Sequence, residues 1–335
     1  MNYIGSKLTL LPFLEQVFRQ VTDGNEKVFC DLFAGTGTVG RHFKNLGLQI
    51  LANDLQYYAY ALNKAYLEIN ETPAFTGLRA LSSQAPLDFI NELPGGAGFI
   101  TNHYSPAGGR LYYTEANAQK ADAIRQAIAQ WRTENLITEQ EYFYVLCSLL
   151  EAIDKVANTA SVYGAYLKKF KATALRPLHL KPLTLINHIS GCRAWQQDAN
   201  ELITQIECDV LYLDPPYNHR QYGANYHVLE TIAAYDSPKL KGITGLRDYP
   251  KSDYCRKDAA YAALENLILQ ARAKHILISY NDEGVLSLKD IHAILKLRGT
   301  PQKYQKKYTR YKSDNKRQYS KDSTFEYLHY VRVSK

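Results

Sequence analysis

With 335 residues, of which 46% are hydrophobic, 22% charged and 12% aromatic, the chain has enough apolar material for a sizeable core, and at about 150 residues per domain it suggests about two domains. Disorder and collagen-like repeats are excluded, as is a membrane span of ~20 apolar residues, since the longest apolar run, Tyr142 to Leu150, stops at Glu151. The formal charge of +7 is local: between Pro301 and Lys321, eight bases (Lys303, Lys306, Lys307, Arg310, Lys312, Lys316, Arg317 and Lys321) face one acid, Asp314, with Tyr304, Tyr308, Tyr311 and Tyr319 interleaved. Such a segment suits nucleic-acid phosphates, and composition alone equally allows a solvated basic surface.

In chain order, apolar residues at helical spacing (Leu10, Leu14, Val17, Phe18, Val21) predict a first helix that ends at Asp23-Gly24-Asn25. A short apolar strand, Lys27 to Phe33, runs into Gly35-Thr36-Gly37-Thr38-Val39-Gly40, which opens a helix closed by Gly47 before a second strand, Gln49 to Ala52. Strand, glycine turn, helix and strand in that order predict an α/β fold with a parallel sheet and ligands at the carboxyl ends of its strands. The pattern then turns helical, with an amphipathic face at Tyr142, Leu146, Leu149, Leu150, Ile153 and Ala157 and a weaker helix from Glu115 to Trp131. We therefore expect a sheet-bearing part made of residues 1–95 and 191–335 around a helical insert at 96–190, whose far end, Leu167 to Lys181, is a second basic patch. Alternation resumes with strands at Val210 to Leu213 and His275 to Ser279, helices around Asp258 to Ala273 and after Ser287, and an alternating tail, Phe325 to Val333, expected to pair antiparallel across a basic loop at about 301–321.

Five scattered cysteines (Cys30, Cys147, Cys192, Cys208, Cys255) show neither metal-ligand spacing nor a disulfide framework, so no metal is expected. The amino terminus lacks a secretory pattern, and the expected location is cytoplasmic.

Gly35-x-Gly37-x-x-Gly40 with Asp54 after the next strand fits a nucleotide cofactor, and by itself allows NAD, S-adenosylmethionine or an ordinary tight turn. Leu211-Tyr212-Leu213-Asp214-Pro215-Pro216-Tyr217 is more telling, because two prolines force the chain out of the sheet at the ligand edge. Asp214 and the Pro215 carbonyl are placed to accept both hydrogens of an exocyclic amine while Tyr217 stacks on the base that bears it; a purely structural turn is the alternative.

These residues, with Asn2-Tyr3-Ile4-Gly5-Ser6-Lys7, Gln197-Asp198-Ala199 and Ser279-Tyr280-Asn281 in the expected order, resemble the Dam-like alpha group of DNA adenine methyltransferases. The resemblance implies a Rossmann-like methyltransferase fold, S-adenosylmethionine as cofactor, and transfer to the 6-amino group of an adenine flipped from duplex DNA. Tyr3 and Lys7 would then meet the methionine moiety, with Lys7 near its carboxylate. Asp31, Phe33, Ala34, Gly35 and Gly37 would wrap the cofactor, Asp54 hold its ribose, and Asp198 bind its adenine amine. Asp214, Pro215, Pro216 and Tyr217 would hold the target base. Lys306, Lys307 and Arg310 are expected on phosphates, Arg220 and Tyr222 near the flipped nucleotide, and the insert as sequence reader, although its length departs from the compact module of the best-known members. A cognate restriction endonuclease is the expected partner. The rivals are an RNA base methyltransferase, an NAD-dependent oxidoreductase and a catalytically inactive DNA-binding module.

Overall fold

The computed structural model describes residues 7–217, 221–282, 284–309 and 323–334. The chain divides into two compact units, one of residues 5–55, 188–222 and 250–335 and one of residues 1–4, 56–187 and 223–249.

The first unit is built on seven strands: β1 (Val28–Asp31), β2 (Gln49–Asn53), β3 (Arg193–Trp195), β4 (Cys208–Leu213), β5 (Ala273–Asn281), β6 (Gln302–Thr309) and β7 (Ser323–Arg332). Their order in the sheet is β3-β2-β1-β4-β5-β7-β6. The five strands from β3 to β5 are parallel, and β7 is antiparallel to both β5 and β6. Side-chain alternation sends Phe29 and Tyr212 to one face, where Phe29 stacks on Phe43 at 4.0 Å and Phe18 meets Phe43 edge-on at 5.0 Å, seating the helices Leu11–Val21 and Thr38–Asn45. Cys30, Leu211, Leu213, Ile276 and Ile278 point to the other face and bury the helices Ala260–Gln270 and Leu288–Lys296 through Leu264, Ile268, Ile291 and Ile294. The last of these starts with the expected cap: Ser287 and Asp290 exchange side-chain to backbone hydrogen bonds at 3.2 and 2.8 Å.

One expectation is corrected. The basic segment at 301–321 does not begin as a loop: residues 302–309 form β6, registered on β7 from Gln302 opposite Tyr330 to Thr309 opposite Ser323. Its lysines defend an edge strand, where charge deters pairing with another chain.

The second unit is helical. The helix Glu139–Lys155 is opened by a capping box between Thr138 and Glu141 and buried along most of its length, and it packs beside Glu115–Thr133. The helices Tyr57–Asn63 and His227–Ala234 pack against it, with Glu230 accepting from the backbone N–H groups of Tyr57 and Tyr58 at 3.0 and 2.9 Å. By packing, the unit therefore takes in residues 56–95 and 223–249 rather than 96–190 alone. Its basic stretch after Leu167 is irregular chain pinned by two buried asparagines. Asn158 donates to the Leu111 and Leu167 carbonyls at 2.9 and 3.0 Å, and Asn117 accepts from Leu178 N–H at 2.8 Å. No helix among the described residues is long and apolar enough to cross a membrane.

Candidate active site

The parallel strands all end at one edge of the sheet, where Asp31, the glycine turn, Asp54, Asp198 and the Asp214 turn lie. β1 ends at Asp31, and the turn after it is latched to β2: Ala34 N–H donates to the Asn53 carbonyl at 2.8 Å and Gly35 N–H to Asp54 Oδ2 at 2.9 Å. Gly35 (φ 52) and Gly37 (φ 73) hold left-handed conformations that a side chain would strain, which is why glycines stand there. Asn53 is a second latch, its amide donating to the Gln197 carbonyl at 3.1 Å and its oxygen accepting from Gln197 N–H at 3.1 Å. Asp198 caps the short helix Ala199–Leu202 by accepting from Asn200 N–H at 2.8 Å.

Asp31 is 1% exposed, and only its Oδ2 is engaged, by Gly40 N–H at 3.2 Å; Oδ1 has no partner among the described residues. Burial, followed by the charge of Asp214, lifts its carboxyl to about 8 against that hydrogen bond. An orphaned carboxylate oxygen beside a turn kept open by two glycines fits a cationic cofactor, whose positive charge would supply the missing counter-charge.

β4 ends at Leu213 and the chain leaves the sheet at Asp214, where the prolines forbid continued pairing. The turn is fixed beyond the prolines by Val285 N–H donating to the Tyr217 carbonyl at 2.7 Å and by Tyr217 packing edge-on against Tyr280 at 6.0 Å. Lys7 Nζ lies 3.1 Å from Asp214 Oδ1 and 2.7 Å from Glu326 Oε1, the latter also accepting from Ser279 Oγ at 2.7 Å. Burial pushes Asp214 up to about 6, with the Lys7 ammonium pulling the other way. Burial disfavours a charge on Lys7, but the two carboxylates outweigh it and keep the ammonium charged, well above the ordinary lysine range.

Lys7 is thus engaged with two carboxylates of the chain itself. Asp54, the glycine turn, Asp198 and the Asp214 turn share the edge. Phe33 lies there too, meeting Tyr254 edge-on at 5.0 Å. Because β6 runs alongside β7, Lys306 stands directly opposite Glu326 and Lys307 opposite Phe325, so both lysines also reach this edge. Tyr222 opens the short helix Tyr222–Asn225. Tyr3, Arg220 and Arg310 lie outside the described residues.

Sequence reasoning missed two residues. Tyr254 donates to Asn200 Oδ1 at 2.6 Å and packs on Phe33, beside the cap at Asp198. Glu326 could have been flagged as an acid inside an alternating apolar strand, in phase with the buried Leu328 and Tyr330.

A mostly parallel sheet with a reversed strand near one edge, a glycine turn after β1 and a proline-closed acid after β4 define a Rossmann-like methyltransferase. Residues 3–294 match the D12 class N6 adenine-specific DNA methyltransferases, and the chain belongs to that family. It is 45% identical over 335 residues to the Type II methyltransferase M.NlaIII of Neisseria lactamica, covering 98% of each chain. It is 36% identical over 315 residues to the Type II methyltransferase M.CviAII of Paramecium bursaria Chlorella virus 1, covering 93% of each. It is also 41% identical over 341 residues to M.FokI of Planomicrobium okeanokoites, covering 99% of this chain and 52% of that protein. The protein is an adenine-specific DNA methyltransferase. The oxidoreductase that the glycine turn allowed and the RNA methyltransferase that the catalytic turn allowed both fall away.

Proposed function

We propose that the protein uses S-adenosylmethionine to methylate the 6-amino group of an adenine flipped out of a specific duplex DNA site, as the modification enzyme of a restriction system. The observation that carries this reading is the placement of Asp214, a half-buried acid just past the end of β4, on the same sheet edge as the Asp54-latched glycine turn. S-adenosylmethionine, when bound, supplies an electrophilic methyl on its sulfonium. Asp31 to Gly37 would line its binding site, with the unpartnered Asp31 oxygen complementing its charge, Asp54 holding the ribose hydroxyls, Asp198 the adenine end and Tyr3 the methionine end.

Asp214 and the Pro215 carbonyl accept the two amine hydrogens of the target base, and Tyr217 stacks on its ring. Both acceptors draw the nitrogen lone pair out of the ring and aim it at the methyl carbon, so in-line positioning supplies most of the catalysis. The C–N bond forms as the C–S bond breaks, and the surplus proton leaves the amine for solvent. Flipping the base costs a few kcal/mol of stacking and pairing, which contacts elsewhere must offset. Lys306 and Lys307 would grip phosphates, joined by Arg310, with Arg220 and Tyr222 close to the flipped nucleotide. The helical unit would read the sequence. Such an enzyme works in the cytoplasm, beside an endonuclease of the same specificity.

The test is methylome sequencing of a methylation-free host that expresses the protein, against the same host carrying Asp214→Ala. A 6-methyladenine mark at one short motif, absent with the variant, is expected. Equal marks with both would remove Asp214 from the chemistry.

A further inference from the structure

We propose that Glu326, held by Ser279, is a positioning residue for methyl transfer: it clamps Lys7 and thereby sets how strongly Lys7 engages Asp214. The proposal rests on the reading of Asp214 as the acceptor for the target amine.

The geometry is unequal in a useful way. Lys7 Nζ is 2.7 Å from Glu326 Oε1 but 3.1 Å from Asp214 Oδ1, so its closer partner is the carboxylate that lies on a strand and not the one in the turn. Oε1 of Glu326 is itself fixed by Ser279 Oγ at 2.7 Å. Ser279 and Glu326 share a face of the sheet, since β5 and β7 pair with Asn281 opposite Glu326 and Ser279 opposite Leu328. Two neighbouring strands, each paired on both sides, therefore hold the clamp. Lys7 comes to it from the turn before the helix Leu11–Val21, where its carbonyl accepts from Leu10 N–H at 2.8 Å.

The charge count also demands an explanation. One carboxylate would neutralise Lys7, and burying a third ion is costly. Glu326 is 8% exposed and Lys7 6%, so the extra charge is not a solvated ornament. Its effect is to share the ammonium. A carboxylate paired to a lysine of its own has part of its acceptor strength spent, whereas an Asp214 that shares Lys7 keeps more of its charge for the amine. Lys7, in turn, keeps Asp214 ionised despite its burial. The other ionisable groups that bear on this cluster are Asp31 at the end of β1, Tyr212 in β4, Tyr217 in the turn and Lys306, opposite Glu326 in β6. Glu326 Oε1 is taken up by Lys7 and Ser279, so its action is through Lys7.

The experiment measures single-turnover methyl transfer to an unmethylated duplex carrying the motif found by methylome sequencing, across pH, for the full chain and for Glu326→Gln, Glu326→Asp, Ser279→Ala and Asp214→Ala, with cofactor binding followed by calorimetry. Glu326→Gln keeps the shape and removes the charge. It should bind cofactor normally and lose roughly tenfold in rate, the loss expected for one charge-assisted hydrogen bond. Its acid limb should move to lower pH, because Lys7 then belongs to Asp214 alone and Asp214 stays ionised further down. Ser279→Ala should move both readouts the same way by less, and it carries the test if Glu326→Gln does not fold. Glu326→Asp should restore the limb and part of the rate. An unchanged rate and limb in Glu326→Gln and Ser279→Ala, beside an inactive Asp214→Ala, would overturn this proposal alone. So would a loss uniform in pH that Glu326→Asp does not relieve. Turnover retained by Asp214→Ala would overturn the reading of Asp214 and this proposal with it.

Discussion

Lys7 Nζ lies 3.1 Å from Asp214 Oδ1, joining the turn before the helix Leu11–Val21 to the acid that follows β4. Burial raises the Asp214 carboxyl to about 6, and Lys7 is the group that restrains the rise. Lys7→Gln should therefore shift the acid limb of methyl transfer to higher pH, the opposite direction from Glu326→Gln. The turnover lost at pH 7 should return in part at pH 8.5. A pH profile of the single-turnover rate checks this. The variant should also melt earlier, since leaving a buried ion unpaired costs about 3–5 kcal/mol.

Asp214→Ala should reduce methyl transfer by about a thousandfold or more, within the range seen when a group aimed at the reacting atoms is deleted. Cofactor affinity should fall far less, because the partner proposed for Asp214 is the target amine and not the cofactor. Tritiated methyl incorporation and calorimetry separate the two effects.

Asp54→Ala should act on the cofactor. Its carboxylate holds Gly35 N–H at 2.9 Å, so the variant loses both that latch and the acceptor proposed for the ribose. Affinity should fall by about tenfold to a hundredfold, the worth of one or two charge-assisted hydrogen bonds, while the rate at saturating cofactor changes far less. Calorimetric titration with S-adenosylhomocysteine reads this directly.

Asp31 makes stability depend on pH. Its carboxyl is raised from 3.8 to about 8, first by burial and then by Asp214. Between those values the folded protein holds a proton that the unfolded chain has released, so ligand-free stability falls as pH rises through that window. The slope reaches at most about 1.4 kcal/mol per pH unit for this one group. Asp31→Asn should flatten that slope and weaken cofactor binding. Thermal melts between pH 5 and 9, with and without cofactor, test both.

Lys306→Gln with Lys307→Gln should weaken DNA binding and lower the salt slope by about 0.9 for each phosphate that is no longer neutralised. Affinities measured at several salt concentrations decide it. An unchanged slope would take the end of β6 off the DNA.

Much of the sheet was legible because its signals are local. The glycine turn, the Asp214-Pro215-Pro216-Tyr217 exit and the cap at Ser287 and Asp290 each act within a few residues, and each stands where the sequence placed it. β6 is not legible because Lys303, Lys306 and Lys307 read as a basic, DNA-binding loop; the segment pairs as a strand because β7 offers an open edge. The reach of the helical unit was missed for a related reason. Helices as short as Tyr57–Asn63 carry little periodicity and join the unit through packing against Glu139–Lys155.

Fold class, family and the exit of the chain from the sheet after β4 are all legible in the sequence, since they depend on side-chain types at fixed short spacings. Tertiary structure alone decided what Lys7 holds. Lys7 and Glu326 are 319 residues apart and meet at 2.7 Å, because β7 runs antiparallel and so brings its beginning to the edge where the parallel strands end. No periodicity encodes that pairing. It follows from strand order and direction, which are set by how the whole sheet buries its two faces.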